Sequence, residues 1–185
     1  MSGTILVTGG AGYIGSHVSA ALRQAGFDVV ILDNFENADR DVPDRLAAMG
    51  FAPSAVIDAD VRDVEALDAV FASNRVDAVV HMAGKKAVGE SVADPLLYYS
   101  ANLAGAMTLL DAMMRHGVMR LVFSSSATVY GMPDRLPIDE NAALGPANPY
   151  GRTKLMIEQM IDDVATAFPA FAAISLRYFN PVGAW

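Results

Sequence analysis

The sequence has no cysteine, one tryptophan and three histidines. Without a thiol there is no disulfide, zinc–thiolate site, iron–sulfur cluster or cysteine nucleophile. His17, His81 and His116 lack ligand-like spacing, so no metal site is expected. Charge is also sparse, at 18% of residues, and 13 Lys+Arg against 21 Asp+Glu leave a net charge of −8. A nucleic acid would be repelled over most of such a surface. One phosphorylated small molecule in a local basic pocket is still compatible with it. No basic segment precedes Ile5-Leu6-Val7, and that apolar run is too short for a secretory signal. The stretch Gly3 to Leu22 carries no Asp, Glu, Lys or Arg. The glycines at 9, 10, 12 and 15 within it, with Thr, Ser and His, argue against a membrane span. These absences predict a cytoplasmic protein with neither a nucleic-acid nor a membrane partner.

What is present is apolar and regularly punctuated. Hydrophobic residues make up 53% of the 185, which excludes a disordered chain and fits one domain spanning 1–185. Short apolar runs alternate with helical patterns. The predicted strands are Ile5–Val7, Val29–Leu32, Ala55–Ile57, Ala78–Val80, Leu121–Phe123 and Ile174–Tyr178. The predicted helices run from the glycine cluster to Gln24, onward from Asp63, from Asp94-Pro95 to Gly117, and from Asn148-Pro149 to Pro169. Steady alternation of this kind implies an α/β fold, a doubly wound parallel sheet of Rossmann type. Its strands read as continuous apolar runs, as strands covered on both faces should. The Pro-rich stretch 133–146 reads as a loop within the domain.

Gly10-Ala11-Gly12-Tyr13-Ile14-Gly15 follows a strand and opens a helix, and Gly9, Gly12 and Gly15 also repeat at a spacing of three. The N–H groups at a helix start suit a pyrophosphate, and glycine lets the backbone approach it. A tight turn would explain three glycines equally well. Asp33, however, ends the second strand about 20 residues on, where an acid meets the adenosine ribose and repels a 2′-phosphate. That favours NAD over NADP.

Tyr150 and Lys154 stand four apart at a helix start, which puts both on one face. A tyrosine with an ordinary pKa of about 10 is a poor base at neutral pH. A nearby cation lowers that value and lets the phenolate take a proton from a sugar hydroxyl. An ordinary exposed helix pair is the blander explanation. The dinucleotide loop upstream and the Ser124-Ser125-Ser126 cluster after the fifth strand weigh against it. Residues 9–12, 33, 60, 83–86, 124–126 and 178–180 each follow a predicted strand, so all gather at the carboxyl edge of the sheet, where ligands bind. Glu158 lies one turn after Lys154 and is expected to pair with it.

These residues resemble the UDP-glucose 4-epimerase family of extended short-chain dehydrogenases/reductases. The matching motifs are Val7-Thr8-Gly9-Gly10-Ala11-Gly12-Tyr13-Ile14-Gly15-Ser16-His17, Leu32-Asp33-Asn34 and Asp60-Val61-Arg62. Then come Ala83 to Ser91, Ser124 to Gly131, Pro149-Tyr150-Gly151, and Arg177 to Ala184. The resemblance implies an isomerase that uses bound NAD to oxidise C4 of a UDP-sugar transiently. It implies that Gly9, Gly12, Tyr13, Ile14 and Gly15 bind the pyrophosphate. Asp33, Asn34 and Asn37 would hold the adenosine ribose, with Asp60 and Val61 flanking the adenine. Met82, Ala83, Gly84, Lys86, Ser124, Lys154, Tyr178 and Phe179 would line the rest of the cofactor path. Tyr150 would be the base, assisted by Ser126 and Lys154. Lys86, Ser126, Ala127, Thr128, Tyr150 and Asn180 would face the UDP-sugar. The helices 95–116 and 149–168 resemble those of the family's homodimer interface, although core packing accounts for their apolar faces as well.

Some positions depart from the family pattern. Ala101 and Ala104 stand where Asn is usual, which predicts lost polar contacts near the cofactor. Lys85 replaces an apolar residue, and Met82 an aromatic one. Thr128 is followed by Val129-Tyr130 rather than Asp-Glu, which argues against a dehydratase. The chain ends at Trp185, where the family continues into a substrate half. The expectation is therefore NAD binding with slow or absent epimerisation, and a non-catalytic NAD-binding module is the competing reading.

Overall fold

The computed structural model describes residues 3–52, 55–133 and 135–183. Met1, Ser2, Pro53, Ser54, Asp134, Ala184 and Trp185 lie outside the described residues. They include one position of the Pro-rich loop and the end of the last matching motif.

The first apolar run forms β1 (Thr4–Thr8), and the glycine loop leads into α1 (Tyr13–Gln24). β2 (Asp28–Asp33), α2 (Val42–Ala48), β3 (Val56–Asp58), α3 (Val64–Ser73) and β4 (Val76–His81) complete the first half. α4 (Val88–Ala93) and α5 (Pro95–Tyr98) follow, then a π-helical segment (Tyr99–Ala104) that runs into α6 (Gly105–Arg115). β5 (Arg120–Ser126), a 3₁₀ turn (Ala127–Tyr130), α7 (Pro149–Ala167) and β6 (Ala172–Tyr178) close the order. The sheet is parallel throughout, in the order β3-β2-β1-β4-β5-β6. Strand order reverses between β1 and β4, and the crevice at such a reversal is where a doubly wound sheet takes its ligand.

Alternation along the strands fills two cores. Ile5, Val7, Val29 and Ile31 pack with Leu46 of α2 and with Val18 and Leu22 of α1. Leu6, Val30, Leu32 and Val79 pack on the other face with Leu67 and Val70 of α3, Leu109 and Met113 of α6, and Ile157 and Ile161 of α7. A side chain as fully buried as Leu6 or Leu109 stabilises the fold by roughly 2 kcal/mol. The expected caps form: Asp63 accepts from Ala66 N–H, Asp94 from Leu97 N–H and Asn148 from Gly151 N–H. Among the described residues no helix is long and apolar enough to cross a membrane.

The structure differs from the sequence reading in several places. β3 begins at Val56, one residue later than expected, and β5 extends through the serine cluster. The helix expected over 95–116 is helical throughout but carries the π-helical segment within it. The short helices α2 and α4 were not anticipated; one side chain is buried from each, Leu46 and Ser91. β6 pairs only with β5 among the described residues, and Ile174 and Leu176 on it are exposed.

Candidate active site

β1 aims the glycine loop at the carboxyl edge of the sheet, against the loop that follows β4. Gly9 has φ +71°, and a Cβ there would strike the Ala83 backbone. A Cβ on Gly15 would overlap the Gly9 carbonyl oxygen, so only glycine lets α1 begin this close to β1. Gly12 is the N-cap of α1 and no side chain caps the helix. Its first amides are thus left for an external acceptor. Buried Asp33 ends β2 and accepts from Ala11 N–H on one oxygen and from Phe35 N–H on the other, both at 2.9 Å. It ties the glycine loop to the loop after β2, and each oxygen keeps a second lone pair. Asn34 donates to Asp60, which also takes two hydrogen bonds from the Arg62 guanidinium. That guanidinium holds the Asp60 carboxyl well below the usual carboxylate range.

At the other end, β5 and α7 meet. Tyr150 and Lys154 project from the first turns of α7, and both are buried. The Lys154 Nζ donates to the Ser124 carbonyl at 2.8 Å and lies 4.9 Å from the Phe123 ring centre and 6.0 Å from that of Tyr150. Burial lowers its pKa to about 8, against a smaller opposing pull from Glu158. Burial also raises the Tyr150 pKa above its usual 10, while a hydrogen bond with Ser126 works the other way. The expected lowering by Lys154 is thus not what dominates here. The ammonium is turned to a carbonyl, and loss of water from the phenol outweighs its attraction. His81 beneath this group shares a 2.7 Å hydrogen bond with the Thr8 hydroxyl. Burial, with the Lys154 charge adding, lowers its pKa to about 3. It is neutral at ordinary pH.

Glu158 corrects a second expectation. It is buried and takes three hydrogen bonds from Arg177 of β6 (2.7 Å for the shortest) and one from the Ser125 hydroxyl, rather than pairing with Lys154. Arg177 also donates to the Tyr130 hydroxyl and stacks on that ring. Between Ala101, which lines the site's cavity, and Ala104 stands buried Asn102, whose side chain serves the protein's own backbone. It accepts from Lys85 N–H and donates to the Lys85 carbonyl and the Thr153 hydroxyl. Sequence reasoning passed over Asn102, although an amide amid Ala and Leu in an apolar helix was the available signal.

All these elements border one cavity of about 810 Å³. Of the expected cofactor residues, Gly9, Gly12, Tyr13, Ile14, Gly15, Asp33, Asn34, Asn37, Asp60 and Val61 line its first part. Met82, Ala83, Gly84, Lys86, Ser124, Tyr150, Lys154, Tyr178 and Phe179 line the rest. Ser126, Thr128 and Asn180 border it too. Ala127 does not; it starts the turn that carries Thr128. Lys85, Glu36 and Glu90 also line the cavity, and the sequence had not marked the two glutamates. The Tyr13 hydroxyl donates to the Gly183 carbonyl at 2.5 Å and so closes one side of it.

Known proteins share this fold. The chain is 52% identical over 180 residues to the UDP-glucose 4-epimerase of Bacillus subtilis (strain 168), covering 97% of this chain and 53% of that one. It is 54% identical over 184 residues to UDP-glucose 4-epimerase 1 of Oryza sativa subsp. japonica, covering 98% and 52%. The fold superposes at TM-score 0.95 on the Bifidobacterium longum UDP-glucose 4-epimerase solved with NAD+ and UDP, at 48% identity, covering 98% of this chain and 55% of that one. The Stenotrophomonas maltophila UDP-glucose-4-epimerase, solved with NAD and formylated UDP-arabinopyranose, gives 0.94 at 48% identity, covering 98% and 54%. The chain spans about half the length of the curated relatives it matches. The profile of the NAD dependent epimerase/dehydratase family matches residues 5–185, nearly the whole sequence. The chain belongs to the NAD dependent epimerase/dehydratase family.

Proposed function

We propose that this chain is the cofactor-binding half of a UDP-glucose 4-epimerase-type enzyme, which interconverts UDP-galactose and UDP-glucose by transient oxidation at C4. The observation that carries the reading is the gathering of Tyr150, Lys154 and Ser126 on the same cavity as the glycine loop and Asp33. The cavity fits NAD. The Gly9–Gly15 approach leaves the start of α1 bare for a pyrophosphate, and Asp33 has lone pairs free for ribose hydroxyls while its charge repels a 2′-phosphate. NAD, when bound, supplies the hydride acceptor.

The chain's own residues do the rest. Backbone amides at Tyr13 and Ile14 hold the pyrophosphate; Asp33, Asn34 and Asn37 hold the adenosine ribose; Asp60 and Val61 flank the adenine. Lys86 and Lys154 hold the second ribose, with Tyr178 and Phe179 beside the nicotinamide. Tyr150 takes the proton of the sugar 4-hydroxyl, and Ser126 stabilises its phenolate. Thr128 and Asn180 face the substrate. A homodimer through helices at 95–116 and 149–168 belongs to the proposal, supported by exposed Leu96, Met107 and Met156 on them. So does a cytoplasmic setting, which suits a sequence without cysteine.

A second reading, an NAD-binding module without turnover, is favoured by the raised Tyr150 pKa. One experiment separates the two. The purified chain is denatured and assayed for released NAD, and the intact chain is assayed for conversion of UDP-galactose. NAD with turnover supports the enzyme, NAD without turnover supports the module, and no NAD uptake even on addition refutes both.

A further inference from the structure

We propose that Lys85 and Glu36 form a bar over the glycine loop that holds the dinucleotide in its groove and sets how fast it leaves. The proposal rests on the reading of this groove as an NAD site.

The strand order supplies the geometry. β1 lies between β2 and β4 and pairs with both. Glu36 stands three residues past the end of β2, and Lys85 four past the end of β4. The Lys85 Nζ meets the Glu36 carboxylate at 2.7 Å, so their ion pair crosses the line of β1 in front of the loop that β1 carries. Both residues line the cavity. A ligand with its phosphates on the start of α1 therefore lies behind this pair.

Both ends of the bar are anchored. The Lys85 backbone is held through its N–H and carbonyl by buried Asn102. Its side chain is only 9% exposed, and Glu90 flanks the ammonium at 3.9 Å. Glu90 is itself held by the hydroxyl of fully buried Tyr98. On the other side, Glu36 N–H donates to Asn34, and Asn34 donates to Asp60. Glu36 is 49% exposed, so this is the end that can swing away. Breaking the pair frees one exposed side chain without disturbing either core. That suits a contact that must open for exchange and reclose.

A direct phosphate-binding role for Lys85 makes the opposite prediction for Glu36, and this decides the matter. If the pair is a bar, removing either partner speeds release. If Lys85 grips phosphate, removing Glu36 frees the ammonium for the ligand and slows release. The test uses NADH as a fluorescent probe, displaced by excess NAD in stopped flow, on the full chain and on Lys85→Met, Glu36→Gln and the double variant. Met fills the space of the buried lysine stem, and thermal melts confirm folding. Release should quicken about fivefold in each single variant, the factor expected of a half-exposed ion pair, and no further in the double. Binding should also quicken, because the bar must open for it. Raising the salt should speed release from the wild type and leave the variants unmoved. Unchanged release, or slower release in Glu36→Gln, overturns the bar. If the wild type takes up no dinucleotide, the cofactor reading falls and the bar with it. The bar alone falls when dinucleotide binds but release ignores these side chains.

Discussion

Replacing Arg177 with methionine should destabilise this fold more than almost any other single change outside its apolar core. The Arg177 side chain is 21% exposed and its partner Glu158 only 8%. Their pair joins β6 to α7, and the Ser125 and Tyr130 hydroxyls tie β5 and the 3₁₀ turn to the same centre. Without Arg177 the Glu158 carboxylate keeps only the Ser125 hydroxyl in a site that excludes water. Stranding a buried charge in this way costs ~3 kcal/mol. At about 2–4 °C per kcal/mol for a domain of this size, the melting temperature should fall by about 6–12 °C. The double variant Glu158→Met/Arg177→Met removes both charges and should lose less than about 2 kcal/mol, chiefly for the two hydroxyls left behind. The exposed Arg23–Asp28 pair is the control, and Arg23→Met there should cost under about 0.5 kcal/mol. Urea unfolding followed by circular dichroism at pH 7.5 measures the wild type, these three variants and Glu158→Met, the second single variant of the cycle. The reasoning fails if Arg177→Met costs no more than the control. It fails equally if the double variant loses the sum of the two single losses, since the pair would then show no coupling.

Asn102→Leu leaves the Lys85 backbone groups and the Thr153 hydroxyl without their partner. It should cost about 3 kcal/mol in urea unfolding and weaken NAD binding, whereas Asn102→Asp should retain part of both. The Lys154 pKa of about 8 lies below the usual lysine value of 10.5. Its contribution to stability is therefore complete above pH 10.5 and lost as pH falls through 8. Wild type should accordingly gain on the order of 3 kcal/mol on Lys154→Met between those limits, and parallel curves would refute this. Tyr150 should titrate above its usual pH 10 in the free chain and at lower pH once NAD is bound. Phenolate absorbance, differenced against Tyr150→Phe, reads this, and an unmoved titration would mean that the cofactor charge does not reach the phenol.

The fold was legible because its signals are local and repeated. The four helices expected from the sequence carry their own punctuation, from Gly26 after α1 to Asn148-Pro149 before α7. What escaped had little to show. α2 is seven residues long and buries Leu46 alone, so no periodic face exists to be read. The π-helical segment is invisible for another reason. Sequence periodicity cannot register an extra residue per turn, yet that residue changes which side chain faces inward, and here it is Asn102.

The site divides along the same line. Glycine loop, strand-end Asp33 and Tyr–Lys pair are each local patterns with a chemical reason for their spacing, and all meet at one cavity. The ionic partners are not local, so spacing misassigns them. Glu158 stands one turn from Lys154 and yet turns to Arg177, which is nineteen residues away in sequence but adjacent across β6. That choice has a chemical consequence. A carboxylate paired directly to Lys154 would cancel much of the ammonium's field at Tyr150. With Glu158 occupied by Arg177, Lys154 rests on a neutral carbonyl and two aromatic rings. Its ammonium loses stability, hence the pKa of about 8, but its charge is not neutralised by an adjacent anion. The buried Glu158–Arg177 pair thus does more than join β6 to α7, because it turns the Glu158 carboxylate away from the Lys154 ammonium.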